Sequence, residues 1–204
     1  MKQYRVWHRT AYTYSDPVED SVGQFHLIPR ELPGQRVREA DVVVSPAPGD
    51  MRRDSDYFGN WSTYFHVTAA HEALSIEASS QVIVTAPEYD PAALALPWEA
   101  ARPLRHPDQE GAWRAAEFAL PSPRVAQSEA TAAYGAVSLT PGRPIGEAAT
   151  DLMHRIYTDF DYDSTATTVT STVADALEKR AGVCQDFAHV ALACLRSHGV
   201  AARY

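Results

Sequence analysis

Cys184 is the residue whose type and setting could do chemistry. Gly182 breaks the chain two residues before it, and an apolar stripe of helical period follows from Phe187. A thiol at the start of a helix faces unpaired backbone N–H groups and the positive end of the helix dipole, and both stabilise a thiolate. The same N–H groups can donate to the oxyanion that forms when sulfur attacks a carbonyl. The pattern therefore predicts nucleophilic acyl chemistry at Cys184.

The two residues after Cys184 leave alternatives open. The negative charge of Asp186 opposes ionisation of the thiol, or else its carboxylate serves the start of the helix. Gln185 could donate to an oxyanion or a substrate, although a solvent-facing position in the first turn is the more ordinary one. A purely structural thiol is the alternative for Cys184 itself.

A cysteine nucleophile normally works with a nearby imidazole. His189 projects about 140° away from Cys184 around the helix, and His198 lies about 21 Å along the axis. His154, on the preceding helical segment, is the remaining candidate base, although a histidine in mid-helix is more often a packing or surface residue. The spacing of the histidines predicts no metal site.

Cys194 is the other of the two cysteines. Ten residues of helix separate it from Cys184 by about 15 Å. A disulfide needs Cα atoms within about 7 Å, so the two thiols do not pair. The position of Cys194 on the apolar stripe predicts a buried structural thiol. We expect no bound metal and no cofactor.

The predicted secondary structure changes along the chain, from strands to the helices that position Cys184. Residues 1–86 alternate apolar and polar side chains between short turns, which predicts an antiparallel β-sandwich-like domain. Gly59-Asn60 is predicted as a hairpin turn within it. Residues 87–143 are punctuated by prolines and predict a connector with short helices. Residues 144–204 have a helical period, and Gly182 is predicted to end one helix as a left-handed cap. The fold class is therefore α+β.

Composition narrows the classes of partner. The formal net charge of −8 argues against nucleic acid and anionic membrane surfaces. No stretch approaches the roughly 20 apolar residues that cross a bilayer, and the N-terminus has no apolar run typical of a signal peptide. These features, with two unpaired cysteines, predict a cytoplasmic protein.

Several segments of this sequence resemble one known family. The segments are Arg180-x-Gly182-Val183-Cys184-Gln185-Asp186-Phe187-Ala188-His189, Gly199-Val200-Ala201-Ala202-Arg203-Tyr204, His8-x-Thr10-x-Tyr12-x-Tyr14, Leu27-x-Pro29-Arg30, Gln35-x-Val37 and Asp56-x-Phe58-Gly59-Asn60. Together they resemble bacterial transglutaminase-like proteins of the cysteine-protease type, with the β-domain that precedes the family's core.

The resemblance implies a papain-like, transglutaminase-like core in which the cysteine starts a helix packed on a sheet. A histidine and then an aspartate follow on later strands in that family. Only Cys184 maps onto this triad. The family's histidine and aspartate come after the Ala-Arg-Tyr segment, whereas the printed chain ends at Tyr204. We therefore expect this piece to be truncated before them and inactive by itself.

The implied reaction acts on an amide bond, of glutamine or of a peptide, through a Cys184 thioester. Water resolves the thioester in hydrolysis, and an amine resolves it in transamidation. The expected partner is a protein or peptide substrate, with self-association possible through an exposed, unfinished core. The alternative function is a non-catalytic module, whose β-domain binds a protein or polymer and whose helical tail is scaffold.

Overall fold

Alternating strands build the first part of the chain, and helices build the second. The computed structural model describes residues 1–86, 88–168 and 170–204. These residues form two units, Met1–Glu88 and Tyr89–Tyr204. Pro87, the first residue of the predicted connector, lies outside the described residues, as does Val169 in the threonine-rich loop.

The first unit contains two antiparallel three-stranded sheets. Its strands are β1 (Lys2–Val18), β2 (Ser21–Phe25), β3 (Gln35–Ser45), β4 (Asp50–Ser55), β5 (Trp61–Val67) and β6 (His71–Val84). One sheet has the order β1-β6-β3 and the other has the order β2-β5-β4. This architecture confirms the predicted antiparallel β-sandwich-like domain.

Side chains from both sheets share one core. On β6 every second residue from Leu74 to Val82 is buried, which is the period of a strand with one covered face. The core residues are Phe25, Val42, Val44, Phe65, Val67, Leu74, Ile76 and Ala78. The predicted turn joins β4 to β5. There Gly59 has a φ of 77°, and the Asp56 carboxylate accepts the N–H groups of Phe58 and Asn60.

The second unit is mainly helical. Its helices are α1 (Pro91–Leu94), α2 (Ala112–Ala116), α3 (Glu129–Ala136), α4 (Ile145–Asp159), α5 (Val173–Lys179) and α6 (Cys184–Ser197), with 3₁₀ turns at Trp98–Ala101 and Glu117–Ala119. Two short strands, β7 (Asp161–Tyr162) and β8 (Ala181–Gly182), pair in parallel. In the part of the chain that the structure describes, no helix combines the length and apolar composition needed to cross a bilayer.

Helix α6 lies at the centre of this unit. Val190, Ala193 and Cys194 are fully buried on it, and they pack with apolar residues of α3, α4 and α5. The proline-rich segment belongs to the same unit, since its residue Trp98 is buried with Ala148 of α4 and with Val200. The helix that carries Cys184 is therefore anchored by the core.

The end of α5 corrects one prediction. Gly182 was expected to cap this helix in the left-handed conformation, but Arg180 does so, with φ 52° and ψ 35°. Its guanidinium carbon lies over the rings of Tyr134 and Phe160, 4.6 and 5.1 Å from their centres. Gly182 instead lies in β8, two residues before Cys184.

Candidate active site

The structure places Cys184 at the first residue of α6, as the glycine break predicts, with an exposed free thiol. Val183 precedes it in an extended conformation, with φ −115° and ψ 176°. The first intrahelical hydrogen bond runs from Phe187 N–H to the Val183 carbonyl at 3.1 Å. The N–H groups of the first turn point out of the helix start, where they can stabilise negative charge on a bound group.

The strand before Cys184 is fixed by its parallel partner. Asp161 N–H donates to the Arg180 carbonyl at 2.8 Å, and Asp163 N–H donates to the Gly182 carbonyl at 2.9 Å. These two bonds hold β8 against β7, and α6 begins two residues after β8 ends. The backbone before Cys184 is therefore hydrogen-bonded to β7 at Arg180 and Gly182.

Asp186 is tied to the backbone of the helix start. It is nine-tenths buried, and its Oδ2 atom accepts Val183 N–H at 2.9 Å and the Thr167 hydroxyl at 2.7 Å. Of the two interpretations open for this residue, the structure shows the second, in which the carboxylate serves the helix terminus. Gln185 is exposed in the first turn.

Three aromatic side chains meet at Phe187, in the first turn of the helix that Cys184 begins. Phe187 is three residues after Cys184, so the two share a helix face. Its ring centre lies 5.7 Å from Phe160 and 6.4 Å from Tyr162, both edge to face. Tyr162 is 71% exposed. The three rings therefore form an aromatic cluster at the first turn of α6, exposed to solvent at Tyr162.

Residues 144–204 contain three histidines, of which the sequence left His154 as the candidate base. His154 is exposed and lines a groove of about 650 Å³ beside α1 and α4, together with Leu94. The ring of His189 lies 5.7 Å from Tyr204, and burial lowers the pKa of His189. His198 bonds to the Ala132 carbonyl at 2.9 Å through Nε2. The contacts of His189 and His198 are those of structural residues.

Cys194 occupies the position that its apolar stripe predicts. It is fully buried in the core around α6, and burial raises its pKa to about 12. At neutral pH this thiol is protonated and shielded from solvent. The two cysteines therefore differ in access, and Cys184 is the one that solvent can reach.

The sequence did not single out Thr167, which lies in the loop between β7 and α5. Its hydroxyl reaches Asp186 across nineteen residues of chain. No local pattern marks one threonine among Thr165, Thr167 and Thr168 as the partner. Across residues 1–86, 88–168 and 170–204, no group of three or more metal-ligating side chains is placed to hold an ion.

Comparison with known proteins identifies both parts of the chain. Residues 4–83 match the family described as the bacterial transglutaminase-like N-terminal region, and residues 133–204 match the transglutaminase-like superfamily. An uncharacterized protein of Mycobacterium tuberculosis is 44% identical over 205 residues, covering 99% of this chain. The chain spans 64% of the length of that relative. An uncharacterized protein of Mycobacterium leprae is 31% identical, covering all of this chain and 70% of its own length.

A solved structure has the same fold. It is described as a "putative cysteine protease" from Cytophaga hutchinsonii, and it superposes with a TM-score of 0.71 at 19% sequence identity. The match covers 96% of this chain and 63% of that protein. The likeness confirms the α+β fold class, with a β-domain followed by the helical part of the core.

Proposed function

The chain belongs to the transglutaminase-like superfamily, and from this membership we propose that Cys184 is the nucleophile of a cysteine enzyme acting on amide bonds. The observation that carries the proposal is the exposed thiol at the first residue of α6. The proposed substrate is a protein or peptide, attacked at a glutamine side chain or at a peptide bond.

The proposed chemistry begins with the Cys184 thiolate. Sulfur attacks the amide carbonyl, and the carbonyl oxygen takes up negative charge as the tetrahedral intermediate forms. The N–H groups at the start of α6 are suited to bind that oxyanion. The carbon–nitrogen bond then breaks, and ammonia or an amine leaves after taking up a proton. Water or a primary amine attacks the thioester and returns the thiol, which gives hydrolysis or transamidation.

Protonation of the leaving amine needs an acid near the sulfur. The resemblance implies an imidazole and an orienting carboxylate that follow the Ala-Arg-Tyr segment. We propose that these groups belong to the part of the longer relatives that this chain does not span. General acid–base catalysis contributes about 10²–10⁴-fold in rate. Residues 1–204 alone are thus expected to accept an acyl group from an activated ester but to turn over amides slowly.

An acylation experiment tests this proposal. Residues 1–204 are mixed with p-nitrophenyl acetate, whose leaving group needs no protonation at neutral pH. We expect a burst of one p-nitrophenolate per chain, with an acetyl group on Cys184 by mass spectrometry. Cys184→Ala should abolish the burst, and Cys194→Ala is the matched control that should keep it. A burst that survives Cys184→Ala would contradict the nucleophile assignment and would favour the scaffold alternative.

Amide turnover is tested separately with a glutamine peptide and a labelled primary amine. The expected result for residues 1–204 is incorporation at least about 10²-fold slower than for a chain that also carries the histidine and aspartate. Incorporation by residues 1–204 at the rate of the longer chain, lost in Cys184→Ala, would contradict the need for the additional groups.

A further inference from the structure

Two neighbouring helices of the second unit begin in related ways, and the difference between them concerns the nucleophile. At α5, Thr172 is the N-cap residue, and its hydroxyl accepts the N–H of Asp175 at 3.2 Å. The Asp175 carboxylate in turn accepts Thr172 N–H and the Thr172 hydroxyl, both at 2.8 Å. One first-turn N–H group of α5 thus donates to a side-chain oxygen of the N-cap residue and is not open to another acceptor.

At α6 the N-cap residue is Val183, which has no side-chain acceptor. The carboxylate at the third helical position, Asp186, still accepts Val183 N–H at 2.9 Å. The hydroxyl that completes this arrangement comes from Thr167, which donates to the same oxygen at 2.7 Å. Within the described residues, no side-chain oxygen of the N-cap residue therefore covers a first-turn N–H group of α6.

We propose that Asp186, held by Thr167, is the positioning residue of the nucleophile. Its buried carboxylate fixes the backbone of Val183, and thereby the direction in which Cys184 leaves the helix start. It does so while the first-turn N–H groups stay open to an oxyanion. This inference rests on the proposed function, because it assigns a role in acylation of Cys184.

The consequence is specific to reactions that form an oxyanion. Acylation by an ester builds negative charge on a carbonyl oxygen, so it depends on the alignment of sulfur with the N–H donors. Alkylation by iodoacetamide displaces iodide directly and needs only an accessible thiolate. The ratio of the two second-order rate constants therefore reports alignment separately from exposure and from folding.

The experiment measures this ratio for Cys184 in residues 1–204, with p-nitrophenyl acetate and iodoacetamide as probes. In the acylation, the sulfur–carbon bond to acetyl forms and the carbon–oxygen bond breaks. p-Nitrophenolate leaves with the electron pair, and the thiol proton goes to solvent. Cys194→Ala serves as the parent, so that one thiol is followed.

The variants separate geometry from charge and from general loss of structure. Asp186→Ala should lower the ratio by about 10- to 100-fold, the scale of a misplaced reacting group. Asp186→Asn keeps an acceptor for Val183 N–H and should recover the ratio to within about 3-fold of the parent. Thr167→Val, which removes the hydroxyl at nearly constant volume, should lower the ratio by about 3- to 10-fold, while Thr167→Ser should retain it.

Asp175→Ala is the matched control, because it removes the related carboxylate from α5 and leaves α6 intact. Its ratio should equal that of the parent. An equal fall in Asp175→Ala and Asp186→Ala would overturn the inference, as would an unchanged ratio in Asp186→Ala or a failure of Asp186→Asn to recover it. If Asp186→Ala does not fold by circular dichroism, Thr167→Val against Thr167→Ser decides.

The same measurement separates this inference from the function on which it rests. A parent that forms no acetyl thioester on Cys184 overturns the proposed function and the inference with it. If the parent is acetylated at Cys184 but the ratio is unchanged in the Asp186 and Thr167 variants, the inference alone is overturned.

Discussion

Gly182 and Asp186 approach each other so closely that position 182 has no room for a side chain. A Cβ atom built on Gly182 would lie 2.6 Å from Oδ2 of Asp186 and 3.0 Å from its Cβ. The close approach of Asp186, whose carboxylate caps the start of α6, thus explains why a glycine precedes Cys184 by two residues. Sequence reasoning assigned the same glycine to a helix cap.

Replacing Gly182 by alanine should therefore destabilise the protein and disturb the helix start. The added methyl group forces the Asp186 carboxylate or β8 to move, and overpacking of this kind costs about 1–3 kcal/mol. Urea unfolding followed by circular dichroism measures the change. Gly49→Ala is a suitable control, since its nearest neighbour would be Thr68 Oγ1 at an ordinary 3.5 Å. A Gly182→Ala variant as stable as Gly49→Ala would contradict the packing argument.

The two thiols should differ sharply in reactivity. Cys184 is exposed, whereas Cys194 is fully buried with a pKa of about 12. At pH 7 a thiol with that pKa is ionised in only about one molecule in 10⁵. We expect iodoacetamide to label one site per native chain, identified as Cys184 by peptide mass mapping, and to label Cys194 only after denaturation.

Cys184→Ala is the control for that labelling, and the native variant should take up no label. Rapid labelling of Cys194 in the folded chain would contradict the packing of α6 in the core. Labelling of Cys184 as slow as that of Cys194 would count against its exposed position at the helix start.

The sequence predicted the position of Cys184 at a helix start because the signal is local. A glycine break followed at once by an apolar stripe places Cys184 at a helix start without knowledge of any other element. The β-domain was predictable for a similar reason, since alternation along β6 and the turn at Gly59 are written in adjacent residues. Both features are set by backbone geometry over a few residues.

The contacts that hold the chain around Cys184 could not be predicted in the same way. Thr167 reaches Asp186 only through the folded path of the loop between β7 and α5. The left-handed residue at the end of α5 was assigned to Gly182 because glycine adopts that conformation most easily. Arg180 takes it instead, because its guanidinium packs on two rings that come from distant parts of the chain. Such contacts depend on tertiary packing, which no local rule reports.

Stability should fall at alkaline pH because of the buried thiol. Burial holds Cys194 protonated in the folded state up to a pKa of about 12, while in the unfolded chain it ionises near its ordinary value of 9.0. Between these pH values the unfolded state binds fewer protons, so the free energy of unfolding decreases as pH rises. The contribution of one such group has a slope of about 1.4 kcal/mol per pH unit. The stabilisation from the protonated Cys194 is fully present below pH 9 and is lost as the pH rises toward 12.

The variant Cys194→Ala tests whether Cys194 causes this decline, through the slope of its free energy of unfolding against pH. The variant should be less stable than the parent at pH 8, because it leaves a small cavity in the core, but its stability should decline less steeply from pH 9 upward. Tyr134, whose pKa burial also raises to about 12 from 10.0, contributes a decline that begins about one pH unit later. Urea unfolding at several pH values gives both slopes, and parallel curves for parent and variant would contradict the role of Cys194.

At Arg180, the cost of a left-handed backbone can be separated from the stabilisation that the stacked side chain provides. Its left-handed conformation costs an L-residue about 1–2 kcal/mol. Stacking over Tyr134 and Phe160 offsets part of this by about 0.5–1 kcal/mol for each exposed cation–ring pair. Arg180→Ala loses the stacking and keeps the backbone cost. Arg180→Gly loses the stacking and removes the cost, so the glycine variant should be the more stable of the two by about 1 kcal/mol.

The neighbouring Lys179 provides the control, because it is the last residue of α5 and has a helical conformation. There the order should reverse, with Lys179→Gly less stable than Lys179→Ala by about 0.5–1 kcal/mol. Both Lys179 variants lose the same bond from Nζ to the Ala166 carbonyl, so that bond cancels in the comparison. Urea unfolding of the four variants gives the two differences. If alanine were also the more stable residue at position 180, the left-handed conformation at the end of α5 would be wrong.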